Sequence, residues 1–359
     1  MQNSPNLRRL SDYLSKASIS GPLDLTVYPA TLPDIEMRKP SSYFQPGPRG
    51  GAPSKKEPAT AHKVGGVNSR IAKLRHIPNI GNTGRAQIAK DAKREIPRIL
   101  LSAGAAGRLG YKVSPDMVPP LTSDMEEFSD LPTRVVVVKG DTYDVAIALH
   151  NSRKIMEHDD PMPVCVLNFA NAGIIGGGWL DGHPSQEEQL CYRSTLSATL
   201  LPRLYPMGAK ECIYSPQVSI FRENEKRGYI WMWPNALDPL PVVSVISMAA
   251  PKHPLITADM KYQNVTDRNF MKDKIRIILR TAAHNRHQRL VLGALGCGAL
   301  GHPRQDAADC WKEILREDEF QGFFELIVFA IFDPGNTDGN FPVFYETLHD
   351  MEMYQDAVQ

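Results

Sequence analysis

From Arg85 onward the chain alternates between two kinds of apolar pattern. RAQIAKDAKREIPRILLSA places Ile88, Ala92, Ile96, Ile99 and Leu100 on one face at helical spacing, with Pro97 as a kink or break. RVVVVK (134–139), PVCVLNF (163–169), VVSVISMAAP (242–251), RLVL (289–292) and FELIVFAIFDP are short, continuous, β-branched runs. They read as strands buried on both faces. Between them, YDVAIALHNSRKIM, the segment after Glu188 (Leu190, Leu196, Leu200), 266–286, 306–315 and 343–353 carry helical spacing. YSPQVSIFR and YIWMWP add two strand-like pieces, and 104–132 reads as a turn-rich bridge. Strands alternating with helices predict an α/β layered domain around a largely parallel or mixed sheet.

Composition divides the chain. Residues 1–84 hold 12 Lys/Arg against 5 Asp/Glu, with 10 of the 29 prolines and no sustained period. They are expected to form a flexible, basic, Pro/Gly-rich extension. Such a tail can touch nucleic acid or an acidic polymer, though a solvated extension is the commoner case. Residues 85–359 form the folded part, with 85–132 as a helical accessory segment. This part holds 29 Lys/Arg against 35 Asp/Glu, so an anionic ligand must be held locally and not by a general positive field. Five cysteines without a CxxC pair point to buried thiols in a reducing compartment. The ten histidines form no HExxH, so neither metal nor cofactor is expected. There is no signal-peptide core and no apolar run of membrane-spanning length, which predicts an intracellular protein with no membrane partner.

Two glycine loops carry the candidate chemistry. After the 163–169 strand come Gly176, Gly177 and Gly178, and seven residues later Gln186, Glu187 and Glu188 open a helix. Glycines let backbone approach a ligand without a Cβ in the way. Acids at a helix start commonly serve only as caps, but here they follow a ligand-style loop. Adjacent carboxylates cannot straddle a glycosidic bond as separated pairs do, so one can act as acid/base while the other holds a sugar hydroxyl. Proximity and burial would raise one pKa toward neutrality. The second loop, Gly296-Cys297-Gly298-Ala299-Leu300-Gly301, is a literal GxGxxG between strand and helix. Its Rossmann reading would need Asp333 as the ribose-binding acid, and it leaves the paired carboxylates without a purpose.

The GGG-x7-QEE signature resembles that of the microbial-type poly(ADP-ribose) glycohydrolases of the macrodomain superfamily. The similarity runs from about Arg85 to the C-terminus through LNFANA, QEE-x-L-C-x-R-S-x-L, YSPQVSIFR, VISMAAP and LGALGCGALGHP. It implies a macrodomain-like α/β/α sandwich with a mixed central sheet and an N-terminal helical extension. It also implies a hydrolase that releases ADP-ribose from poly(ADP-ribose), working from the chain terminus. By resemblance Glu188 is the catalytic acid/base, Glu187 orients ribose hydroxyls and Gln186 supports the loop. Gly176, Gly177 and Gly178 face the distal ribose and diphosphate, with Asn168 and Asn171 close by. Gly296, Gly298, Ala299 and Leu300 form the second diphosphate loop. Asp141 is similar to the aspartate that accepts the adenine amino group, and Phe332 to the aromatic that stacks on adenine. A capping Asp and a core Phe explain those two positions as well. The sequence departs from the family at Gly173-Ile174-Ile175, at Trp179 and at His183-Pro184-Ser185, where spacing is kept but residue types change. The resemblance implies poly(ADP-ribose) or ADP-ribosylated proteins as partners, in nucleus or cytoplasm. A non-hydrolysing ADP-ribose reader and a mono-ADP-ribosyl hydrolase are the alternatives.

Overall fold

The computed structural model describes residues 80–102, 109–153, 162–232, 239–333 and 339–353. Its strands are β1 (Tyr111–Val113), β2 (Arg134–Lys139), β3 (Cys165–Phe169), β4 (Cys212–Ser219), β5 (Val242–Met248), β6 (Arg289–Leu292) and β7 (Leu326–Ile331). The helices are α1 (Gly81–Ser102), α2 (Thr142–Arg153), α3 (Gln186–Arg193), α4 (Leu196–Thr199), α5 (Val265–His284), α6 (Arg304–Leu315) and α7 (Asn340–Leu348). All seven strands form one sheet in the order β1-β4-β5-β3-β6-β7-β2. β5, β3, β6, β7 and β2 run parallel, and β4 pairs antiparallel with both β5 and β1. The sheet is therefore mixed, as the patterning implied.

Strand alternation divides the core into two layers. Val135 and Val137 of β2, with Cys165 and Leu167 of β3, pack against α5, α6 and α7 through Ile275, Ile278, Trp311 and Phe344. Val136, Val138 and Val166 point the other way, onto α1, α2 and α3 through Ala92, Ile96, Tyr143 and Leu190. Because the side-chain period of a strand is two, one continuous apolar run feeds both layers, giving an α/β/α sandwich.

Several expectations change. α1 runs unbroken through Pro97, because Ile96 and Ile99 on either side are buried in the core and hold the backbone in register. It starts at Gly81, so the last residues ascribed to the extension are its first turn, while 1–79 lie outside the described residues. The helical accessory segment is not separate. α1 is one of the helices of the sandwich, and the bridge after it contributes β1, which pairs antiparallel with β4. YIWMWP forms no strand among its described residues. Trp231 makes a single bridge to Arg222, and its ring stacks on Phe221 and under the Arg222 guanidinium. Those aromatics serve packing against a neighbouring segment and not a sheet. The final helix ends at Leu348, earlier than the pattern suggested. Four of the five cysteines are buried, Cys297 is half-buried, and all are free thiols. No helix among the described residues is long and apolar enough to cross a membrane.

The parallel strands put the loops after β2, β3, β5, β6 and β7 along one carboxyl edge. In open α/β sheets this edge is where ligands bind. A proline inside a helix removes one backbone hydrogen bond and crowds the preceding turn. Pro97 is exposed, so Pro97→Ala is expected to stabilise the protein by about 1–3 kcal/mol. Urea denaturation of the two proteins checks this, and an unchanged or lower midpoint contradicts it.

Candidate active site

The site begins where β3 ends. Gln186 accepts the Phe169 N–H at Oε1 (2.9 Å) and donates from Nε2 to the Leu167 carbonyl (2.8 Å) and the Thr142 hydroxyl (3.3 Å). One amide thus fastens the start of α3 to the end of β3 and the start of α2. This placement carries the next two residues, Glu187 and Glu188, into the interior, where they are 3% and 6% exposed.

Neither carboxylate caps its own helix. Glu187 Oε2 accepts the Asn171 N–H (2.7 Å) and its Oε1 accepts from Asn168 Nδ2 (3.3 Å). Glu188 Oε1 accepts the Gly178 N–H (2.8 Å), while Oε2 is fully buried and has no partner among the described residues. A buried carboxylate oxygen without a donor is costly and rare in folded proteins, which marks it as a position for a ligand group or water. Burial pushes the Glu187 carboxyl up to about 8, and the neighbouring Glu188 adds to the rise. The hydrogen bonds from Asn171 and Asn168 oppose it. The raised pKa expected of one member of the pair therefore falls on Glu187.

The two asparagines play different parts. Asn168 lies fully buried on β3, with Nδ2 shared between Glu187 and Ser247 Oγ (3.0 Å) of β5, and its Oδ1 has no partner among the described residues. The Asn171 side chain turns into its own loop, accepting the N–H groups of Gly173 and Ile174, and only its main chain reaches Glu187.

The triple glycine is required by space. Gly177 has φ +58°, and a Cβ there would collide with Glu188 Oε1 and lie 3.1 Å from Glu187 Oε2. Both carboxylates thus lie against this backbone, which only glycine permits. A Cβ on Gly178 would lie 2.7 Å from the His183 ring, and one on Gly176 would meet Trp179 and Cys191. The residues that depart from the family pattern, Trp179 and His183, are therefore the ones that pack under the glycines.

The second loop is held by His302. This ring lies 2.7 Å from the Tyr262 hydroxyl through Nδ1 and 2.8 Å from the Pro251 carbonyl through Nε2. A carbonyl only accepts, so Nε2 carries the proton and Nδ1 accepts from Tyr262. Burial lowers the pKa of His302 and favours this neutral form. The ring packs on Gly296, whereas Gly298 and Ala299 are exposed and Leu300 is half-buried. The N–H groups of Gly298, Ala299 and Leu300 bond no acceptor among the described residues, so they are available to an anionic ligand.

Asp141 and Phe332 meet at the neighbouring strand ends. Gly140 donates to the Ile331 carbonyl, which puts Asp141 beside Phe332. Asp141 Oδ1 caps α2 at the Asp144 N–H and pairs with the buried Arg193 guanidinium, while Oδ2 has no partner among the described residues. Phe332 is 58% exposed, with Lys226 Nζ 5.6 Å from the ring centre, so the core-Phe reading does not hold. Asp333 is buried and accepts the Phe341 N–H at the start of α7, which removes it as a ribose-binding acid. Among the described residues no cluster of three or more His, Cys, Asp or Glu side chains could hold a metal ion.

Residues 111–223 match the family model "Microbial-type PARG, catalytic domain". Over that stretch the chain is similar to this microbial-type PARG catalytic domain. Solved structures agree along most of its length. The poly(ADP-ribose) glycohydrolase from Thermomonospora curvata is 25% identical, with a TM-score of 0.60 over 74% of this chain and 99% of that one. The enzyme from Deinococcus radiodurans in complex with ADP-ribose is also 25% identical, with a TM-score of 0.54 over 69% of this chain and 96% of that one. No curated protein sequence matches the chain.

Sequence reasoning missed several residues around these carboxylates. Arg193 stood in the quoted QEE-x-L-C-x-R-S-x-L run but received no role, although it is fully buried and holds Asp141 and Asp144 together. Tyr205, close enough to Glu187 to feel its charge and with a buried hydroxyl that has no partner among the described residues, carries no motif that could have signalled it. Ser247 and Thr142 contribute single hydroxyls from other strands and helices, which only the fold brings near.

The Glu187 carboxyl gives a signed pH dependence. Its pKa is higher in the folded protein than the 4.5 of the free group, so the folded state binds the proton more tightly. The stability that this provides is present below about pH 4.5 and is lost as pH rises through about 8. Glu187→Gln removes this titration. Its stability relative to wild type is expected to rise by a few kcal/mol, on the order of 1–4, between pH 5 and pH 9. Denaturant unfolding across that range checks it, and a parallel pair of curves contradicts the assignment.

Proposed function

We infer that this chain is a poly(ADP-ribose) glycohydrolase that releases ADP-ribose by general acid/base catalysis. The observation that carries this reading is the pair of buried carboxylates, one of which keeps an oxygen unpartnered. Glu188 Oε1 is fixed by the Gly178 N–H, and Oε2 is left for the reaction. In the proposed step Glu188 donates its proton to the departing 2′-oxygen as the ribose C1″–O bond breaks. The resulting carboxylate then takes a proton from the water whose oxygen bonds C1″, which restores the acid. An oxocarbenium-like centre forms between the two steps. Glu187, neutral near pH 7, can donate to one ribose hydroxyl oxygen while keeping its own N–H partners.

The rest of the edge supports an ADP-ribosyl group. Glycine-loop N–H groups suit the diphosphate without a lysine or arginine. Asp141 Oδ2 suits an exocyclic amino donor, and the exposed Phe332 ring offers a stacking face. The relatives include a structure in complex with ADP-ribose and one bound to the inhibitor ADP-HPD, which fits the same pocket chemistry. The proposed partners are poly(ADP-ribose) and poly(ADP-ribosyl)ated proteins in the nucleus or cytoplasm.

Purified protein incubated with poly(ADP-ribosyl)ated substrate is expected to release free ADP-ribose. Accumulation of ADP-ribose without oligomers would mark cleavage from the terminus, and early oligomers would mark internal cleavage. Glu188→Gln is expected to lower kcat by about 10²–10⁴-fold while ADP-ribose still binds. A wild type that binds ADP-ribose but releases none makes the protein a reader. Phe332→Ala, exposed and outside the core, is expected to weaken ADP-ribose binding about 10-fold or more, measured by calorimetry. Unchanged affinity there removes Phe332 from the adenine site.

A further inference from the structure

We propose that Arg85 on α1 is a positioning residue for Glu188, so that the first turn of α1 is a working part of the active site. The proposal rests on the hydrolase reading above, and it starts from a close approach between two backbones. Gly182 lies in the loop between the triple glycine and α3, at φ +82°. A Cβ there would overlap the Asn82 carbonyl oxygen, so the catalytic loop is seated directly on the first turn of α1.

Arg85 fastens that seat from three sides. Its Nε donates to the Gly182 carbonyl (2.8 Å), and one terminal nitrogen donates to Asn82 Oδ1 (2.7 Å). The other pairs with Glu225 Oε1 (2.9 Å). Glu225 Oε2 in turn accepts from Gln189 Nε2 (3.0 Å), and Gln189 is the residue next to Glu188 on α3. Tyr229 closes the set by donating to Gln189 Oε1 (2.8 Å). Arg85 therefore touches both supports of Glu188. Through Gly182 it holds the loop whose Gly178 N–H bonds Oε1. Through Glu225 and Gln189 it holds the helix turn that carries the side chain.

The loop between these points is short and internally bonded. Gly178 accepts from Asp181 and His183, and Gly182 donates to the Trp179 carbonyl, so a displacement at Gly182 is passed to Gly178. Arg85 is almost completely buried, and its head group meets no position given to substrate. It therefore acts on the reaction through geometry. α1 also lies outside the stretch matched by the catalytic-domain family model, which begins at residue 111.

The test compares wild type with Arg85→Ala, Arg85→Lys and Gly182→Ala in release of ADP-ribose from the polymer. ADP-ribose affinity is measured by calorimetry on the same samples. A misplacement of about 1 Å can cost about 100-fold in rate. Arg85→Ala is expected to lower kcat about 10–100-fold with KM and ADP-ribose affinity within about threefold of wild type. Lysine should recover part of the loss through one retained bond. Gly182→Ala should reproduce the kcat loss with all charges kept, which also covers a failure of Arg85→Ala to fold. Hydrogen exchange should show faster opening at the Gly178 amide in these variants. Wild-type kcat in Gly182→Ala, or equal loss of kcat and ligand affinity in folded Arg85→Ala, overturns the proposal. A wild type that releases nothing sinks the hydrolase reading instead, and the exchange measurement still decides whether Arg85 orders the loop.

Discussion

The structure depends on keeping two adjacent carboxylates out of water. Removing such groups from solvent is costly unless donors replace the lost hydration. The donors here come from separate places: Asn168 on β3, the Asn171 main chain just after it, and Gly178 in the following loop. Their convergence requires β3 and α3 to be fixed against each other, which Gln186 does with two hydrogen bonds to β3 and a third to the start of α2. Three of the four carboxylate oxygens are satisfied in this way and one is left over. The incompleteness, held rigidly, is the chemically useful part of the arrangement.

α3 acts as a short beam between the paired acids and Asp141. Its first turn carries Glu187 and Glu188, and its last residue is Arg193. Arg193 is fully buried, with Nε on the Arg222 carbonyl and its terminal nitrogens on Asp141 and Asp144. A buried guanidinium is tolerated when it is paired and hydrogen-bonded, and here two carboxylates and a carbonyl take one bond from each of its three nitrogens. One helix of eight residues thereby fixes the spacing between the acids and Asp141. Asp144 extends the network to Asn224 and Arg227, on the turn that also contains Glu225.

Glycine serves the two loops in different ways. Gly177 and Gly182 are places where a side chain would strike a carboxylate or another backbone, so their role is close approach. Gly298 meets nothing within 4 Å, so its value is an uncovered N–H on an exposed turn. The first loop is built inward to hold protein groups, and the second turns outward with its N–H groups uncovered. His302 makes the second possible by packing under Gly296 and binding Tyr262 and Pro251 in its neutral form.

The sequence by itself determined the layered α/β class and all the long strands. Hydrophobic period is a local property, and β2, β3, β5, β6 and β7 are buried on both faces. It also determined the chemistry, since GGG and QEE at fixed spacing place glycines and acids together within one strand–loop–helix unit. What it could not supply was anything set by distant partners. β1 has only three residues, and its pairing with β4 rests on the partner strand, not on its own pattern. Pro97 breaks helices locally, yet α1 continues because its buried face is held by the core. The raised pKa of Glu187 comes from burial by surrounding elements, to which spacing is blind. Arg85 lies 97 residues before the glycine it holds, and no periodicity or motif connects such a pair. Only the tertiary structure brings α1 onto the loop after the triple glycine, because that contact joins segments far apart in the chain.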